Sequence, residues 1–155
     1  MITKSKFRIF GNLFVGLALL FTGACATLTI TDVDFSEPME SVLEVSSNGM
    51  VQDVEKGLKF NILPIQQEET GEGNRVTIEE IRIIRGQKGH YFIIAPGFKN
   101  VYVFSANNGE LVLDNTIKID ENGVANPAFN QRDTYIQLID GTSRAFNLTH
   151  EGLRN

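Results

Sequence analysis

The sequence predicts an all-β fold, an antiparallel β-sandwich or small barrel of about 7–9 strands. From Leu58 onward, short apolar runs alternate with polar residues at the two-residue period of strands. Three turn dipeptides separate such runs: Asn48-Gly49, Asn108-Gly109 and Asp140-Gly141. The crossover helices that a parallel sheet requires have no counterpart in the pattern, which excludes a parallel α/β fold.

The elements follow from these signals in chain order. Thr27-Leu28-Thr29-Ile30-Thr31 alternates like a strand, and an acidic segment holding Asp32, Asp34, Glu37, Glu40 and Glu44 follows, so residues 25–40 read as a tether or a first strand. Met39, Val42 and Leu43 would line one face of a short helix with Ser36 as its N-cap, but Asn48-Gly49 favours instead a hairpin joining Val42–Val45 to Met50–Val54. Leu58, Phe60 and Ile62 alternate with polar neighbours, and Pro64 marks a strand end because it cannot donate to a ladder. Residues 66–74 read as a polar loop. Val76 and Ile78 hold even positions and Ile81 and Ile83 odd ones, a parity change across Glu79-Glu80 that predicts a β-bulge.

Tyr91–Ile94 and Val101–Phe104 are continuous apolar runs, which predicts central strands covered on both faces. Tyr91, Phe92, Tyr102 and Phe104 are accordingly read as core rather than as a ligand platform. Asn108-Gly109 closes a hairpin to Leu111–Leu113, Ile117 and Ile119 form another alternating piece, and residues 120–133 read as a loop. Asp140-Gly141 joins Tyr135–Ile139 to Ala145–Leu148 in a last hairpin.

The N-terminus has a different character. Lys4, Lys6 and Arg8 precede an apolar run from Leu13 to Phe21, and Thr22-Gly23-Ala24 leads into Cys25, the single cysteine of the 155-residue chain. Cations before a short apolar segment favour translocation with the N-terminus retained inside. The run falls well short of the roughly 20 residues that span a bilayer, so a cleaved signal helix over residues 1–24 is expected.

This order resembles the signal peptide of bacterial lipoproteins, whose lipobox ends in small residues and a cysteine. The resemblance covers the leader alone, and Thr22 departs from it where the family carries an aliphatic residue. It implies cleavage after Ala24 and a diacylglyceryl group on Cys25, with palmitate-type acylation of the new amine. Each buried methylene contributes about 0.8 kcal/mol, so two or three chains anchor stably where one does not. Ala26, rather than the Asp that retains enterobacterial lipoproteins at the inner membrane, implies the outer membrane, at its periplasmic face or the cell surface. Ala24-Cys25-Ala26 also satisfies a small-x-small rule, and a cut after Ala26 gives a soluble, cysteine-free secreted protein.

Cleavage removes three of the 14 Lys and Arg and none of the 19 Asp and Glu, leaving eleven cations against nineteen anions, a formal charge of −8. Such a surface excludes nucleic acid and charge-driven binding to anionic lipid. Residues 41–155 suffice for a single sandwich-like domain, and with the only thiol committed to lipid, stability must come from apolar packing.

Candidate chemistry is sparse, and no cofactor is expected. His90 and His150 each lack a second histidine nearby in sequence and read as solvated or backbone-bonded side chains. Asp120 and Asn122 sit in a run resembling part of a calcium loop, a weak candidate metal site, with a plain Asn-Gly turn as the alternative. Gly71-Glu72-Gly73-Asn74-Arg75 lacks the third glycine and the following helix of a phosphate loop. Glu79-Glu80 are adjacent carboxylates that a strand points to opposite faces, and Asn147-Leu148-Thr149 is a glycosylation sequon without force in a bacterial envelope.

Two classes of function remain. One is a non-enzymatic module, held to the membrane by its lipid, that binds an envelope protein or glycan. The other is a small periplasmic hydrolase using His90 with carboxylates such as Glu79, Glu80 or Asp120, which requires these residues to converge in one pocket. The lipobox reading predicts that Cys25→Ser moves the protein from the membrane to the soluble fraction and abolishes palmitate labelling; labelling that persists in the variant would place the acylation elsewhere.

Overall fold

A computed structural model describes residues 40–141 and 144–154. Cys25, its cleavage site and the alternating segment at residues 27–31 lie outside the described residues.

The fold is all-β with one short helix, and it is sandwich-like. β1 (Ser41–Glu44), β4 (Glu80–Arg85), β5 (Tyr91–Ile94), β6 (Asn100–Asn107) and β7 (Glu110–Lys118) form a sheet in the order β1-β4-β5-β6-β7. β8 (Pro127–Gln131), β9 (Ile136–Asp140), β10 (Arg144–Thr149) and β11 (Gly152–Leu153) form a second sheet, ordered β11-β10-β9-β8. β2 (Met50–Asp53) and β3 (Leu58–Asn61) make a separate ribbon. Every pairing is antiparallel.

The continuous apolar runs are central, as expected. All four residues of β5 are buried and β5 is the middle strand of its sheet, while Val101, Tyr102 and Val103 of β6 are fully buried beside it. Ile81, Ile83 and Ile84 from β4 and Phe129, Ile136, Leu138 and Leu148 from the second sheet complete the core. Burying one such side chain contributes about 1.5–3 kcal/mol.

The turn signals hold unevenly. Asn108 and Gly109 both have positive φ, +50° and +85°, and close a two-residue hairpin between β6 and β7. Gly141, at φ +59°, leaves β9 toward its partner β10. At Asn48-Gly49 the turn forms, with the Gly49 N–H donating to Ser46 O, but the expected hairpin does not. β1 pairs with β4 and β2 with β3, so the two flanking strands diverge into different sheets. Turn chemistry bends the chain; which neighbour offers the better apolar face decides the pairing.

Residues 63–70, five of them assigned to a polar loop, form helix α1 (Leu63–Thr70). Pro64 stands in its first turn, where a missing N–H costs nothing, and Gly71, at φ +76°, ends it. The helix is eight residues long and its buried positions are Ile65 and Gln66, so it carries little apolar period. Gln66 is fully buried because its amide is used completely: Nε2 donates to Glu72 O and Arg75 O at 2.7 and 2.6 Å, and Oε1 accepts from Thr77 N at 2.9 Å. Glu69 fastens the helix to the start of β6. Its carboxylate accepts from Lys99 N, Asn100 N, Asn100 Nδ2 and the Tyr102 hydroxyl. Burial, reinforced by the charges of Glu69 and Glu68, pushes the Tyr102 phenol well above its ordinary range.

Four further expectations change. The parity shift at Glu79-Glu80 is the entry to β4, not a bulge. The sheet does hold a register shift, between Val103 and Phe104, which leaves Asp114 of β7 as the extra residue between Asn115 and Leu113. The pieces at residues 111–113 and 117–119 thus belong largely to one nine-residue strand. The loop assigned to residues 120–133 contains β8, an edge strand that begins at Pro127, a position where proline is tolerated. With β8 and β11 the described strands number eleven rather than 7–9.

Glu40, immediately before β1, joins the two sheets. Oε1 accepts from Phe129 N of β8 at 2.8 Å and Oε2 pairs with Arg82 of β4 at 3.2 Å. At the opposite end, the turn at Gly97 is bonded to residue 124: Gly97 N–H donates to Val124 O and Val124 N–H to Phe98 O, both at 2.8 Å. The approach is close enough that a Cβ on Gly123 would strike the Gly97 carbonyl, whereas a Cβ on Gly97 meets nothing within 4 Å. Both glycines have positive φ, so Gly97→Ala is expected to cost about 1 kcal/mol. Gly123→Ala, which adds the clash, is expected to cost roughly 3 kcal/mol. Urea midpoints of the two variants check this, and equal losses would refute the close approach.

Candidate functional site

A pocket of about 150 Å³ opens where the β4–β5 turn, the β8–β9 turn and the end of β10 meet. Its floor is apolar, made by the buried Phe92, Ile136 and Leu148. Its walls carry Lys88, His90, Gln131, Tyr135 and His150. The tight β4–β5 turn sets one wall: Gly86 N–H donates to His90 O at 2.8 Å and Gly89 N–H to Gly86 O at 2.9 Å. Gly89, at φ +88°, supplies the left-handed residue that this reversal needs.

His90 and His150 stack in this wall, with ring centroids 4.5 Å apart and planes inclined by 20°. The sequence separates them by sixty positions and gave each no partner; the structure corrects this, because the start of β5 and the end of β10 meet across the sheets. The bulge in β7 organises the pair. Asp114, the bulged residue, places Oδ2 3.6 Å from His90 Nε2 and accepts from Ser105 Oγ at 3.1 Å. Its neighbour Asn115 donates through Nδ2 to His150 O at 3.1 Å. His90 Nδ1 is buried without a hydrogen-bond partner.

This arrangement limits the chemistry. Among the described residues no hydroxyl stands within hydrogen-bond reach of His90 Nδ1, so none of them is paired with that nitrogen as a nucleophile. In near-parallel stacked rings the nitrogen lone pairs lie in parallel planes and do not converge on one ion, and among the described residues no three His, Cys, Asp or Glu side chains are grouped to hold a metal.

The other sequence candidates lie elsewhere. Glu80 pairs with Arg82 at 3.3 Å, and Glu79 is exposed, its carbonyl accepting from Val45 N, so neither joins His90 in the pocket. The glycine loop after Thr70 caps α1 and is held by Gln66. Leu148 of the sequon is buried in the pocket floor.

Asp120 and Asn122 form a turn and an ion cluster. Asp120 Oδ1 accepts from Asn122 N at 2.8 Å and Oδ2 pairs with Arg144, which also pairs with Asp140. The Asn122 N–H first, and Arg144 second, hold the Asp120 carboxyl below its ordinary value. The Asn126 N–H and then Arg144 do the same for Asp140. Arg144 is thus shared by two carboxylates, which orients the start of β10.

No family profile, curated protein or solved structure matches this chain. The reading of the pocket therefore rests on its own residues.

A carboxylate whose native value lies below its unfolded value of 3.8 stabilises the fold at higher pH and loses that contribution as pH falls through the native value. Replacing Arg144 with Gln removes one cause of the depression at both aspartates. The variant is expected to begin unfolding at a higher pH than wild type on acid titration, followed by circular dichroism between about pH 5 and pH 2. Coincident curves would show that the backbone donors alone set the two carboxylates.

Proposed function

We propose that this chain is a lipid-anchored protein of the bacterial outer membrane whose folded body is a non-enzymatic binding module, held by acyl chains on Cys25 and receiving its ligand in the pocket beside His90 and His150. The leader supports the first half of this reading. The second is carried by one observation: a concave site with an apolar floor and a few polar groups on its walls, placed where two sheets end, is the common form of a small-ligand site. Within such a module the ligand is a small molecule or a short group projecting from an envelope glycan or protein.

A hydrolase reading has one feature in its favour, the Asp114 to His90 approach at 3.6 Å on the pocket wall. Asp114 would orient the ring, and the ring would have to act on water, since among the described residues no hydroxyl nucleophile is paired with it. Glu79, Glu80 and Asp120, the carboxylates that reading named, are outside the pocket lining. Binding accounts for the same residues with fewer requirements.

Native mass spectrometry of the full chain extracted from membranes in mild detergent is expected to show a bound mass that is lost in Gly86→Leu, whose side chain would start 3.2 Å from Phe92 and 3.9 Å from Ile136 and so occupy the pocket. Turnover of an ester or glycoside panel by wild type, abolished in His90→Ala, would reverse the assignment toward hydrolysis.

A further inference from the structure

We infer that the pocket selects a small organic anion, a carboxylate carried on a flat or short apolar body. The inference rests on the binding reading above and specifies its ligand class.

Charge is the first argument. Acidic residues outnumber Lys and Arg by 19 to 14 over the chain, yet the pocket lining contains Lys88 and two histidines and no carboxylate. The cationic character extends past the lining. Arg154 donates to Thr134 Oγ1 at 2.6 Å and lies over the Tyr135 ring at 5.4 Å, so its guanidinium borders two pocket residues. Arg132, beside Gln131, is bonded to Gln137 Oε1 at 2.9 Å.

The nearby acids are placed differently. Asp114 stands next to His90 but off the lining, Asp133 is exposed in the β8–β9 turn, and Glu151 next to His150 is 84% exposed. On an otherwise acidic surface the one formally charged side chain in the lining is thus a cation, Lys88, which favours an anion over a cation in the pocket.

Size and floor give the body of the ligand. A void of about 150 Å³ lined by apolar side chains takes a group the size of a benzene ring. Phe92, Ile136 and Leu148 offer such a floor, and the stacked imidazoles offer a flat wall against which a planar group lies well. The carboxylate then sits at the open side, toward Lys88 and the Thr134–Arg154 contact.

The test uses the isotope-labelled full chain in a zwitterionic detergent, titrated with three probes of one size and different charge: benzoate, benzyl alcohol and benzylamine. Amide shifts at Gly86, His90 and Thr149 report occupancy. Benzoate is expected to bind with a dissociation constant on the order of 1 mM, followed by benzyl alcohol and then benzylamine. Lys88→Gln and Arg154→Gln, both surface changes, should each weaken benzoate about threefold and leave benzyl alcohol unchanged. Benzylamine binding as tightly as benzoate, or benzoate indifferent to both substitutions, would overturn the inference. If benzyl alcohol matches benzoate and both are lost in Gly86→Leu, the anion preference falls and the binding pocket stands. If no probe moves a pocket amide, both fall.

Discussion

The structure depends on burying both faces of the β5–β6 hairpin. Tyr91–Ile94 and Val101–Val103 present apolar side chains in both directions, and a sheet with two apolar faces is stable only when each face is covered. The described residues contain no cysteine, so no covalent link substitutes for that coverage. The core that covers the hairpin draws Phe129, Ile136, Leu138 and Leu148 from the second sheet, Ile65 from α1 and Val51 from the β2–β3 ribbon. Their polar fastenings, Glu69 on the backbone of residues 99–100 and Glu40 on Phe129 N, set where the covers sit rather than how strongly they are held.

The pocket follows from how the layers end. The β4–β5 and β8–β9 turns stop short of each other, and the space between them is floored by the last core side chains of each sheet. One irregularity backs the histidine part of its polar wall from outside the lining. A regular β7 would alternate its side chains without interruption; the extra residue at position 114 puts a carboxylate near His90 while leaving Asn115 to hold the chain at His150. A local break in a ladder thereby aims side chains from two sheets at one place.

Much of this was legible beforehand. The apolar runs at residues 91–94 and 101–104 identified the central strands because full burial removes polar alternation, and Asn108-Gly109 identified a hairpin because both positions need positive φ. Helix α1 was illegible: Gln66 is polar yet buried, and Glu69 is acidic yet structural, so both look like loop residues. β8 was hidden by Pro127 and by Asn130 and Gln131 at its exposed end. The histidine pair was illegible for another reason. Stacking of residues sixty positions apart is a product of topology, and the Asn48-Gly49 turn shows how easily topology departs from local signals.

Glu40 has one more consequence. Ser41 lies opposite Ile83, so Glu40 falls beside Ile84, two residues before Gly86, and its carboxylate holds Phe129, two residues before Gln131. The start of β1 and the pocket therefore lie toward the same end of the sheet. A load applied to the chain where it enters β1 is thus shared between the β1–β4 ladder and the Glu40 carboxylate, which passes part of it to β8, the strand that ends at Gln131 in the pocket lining.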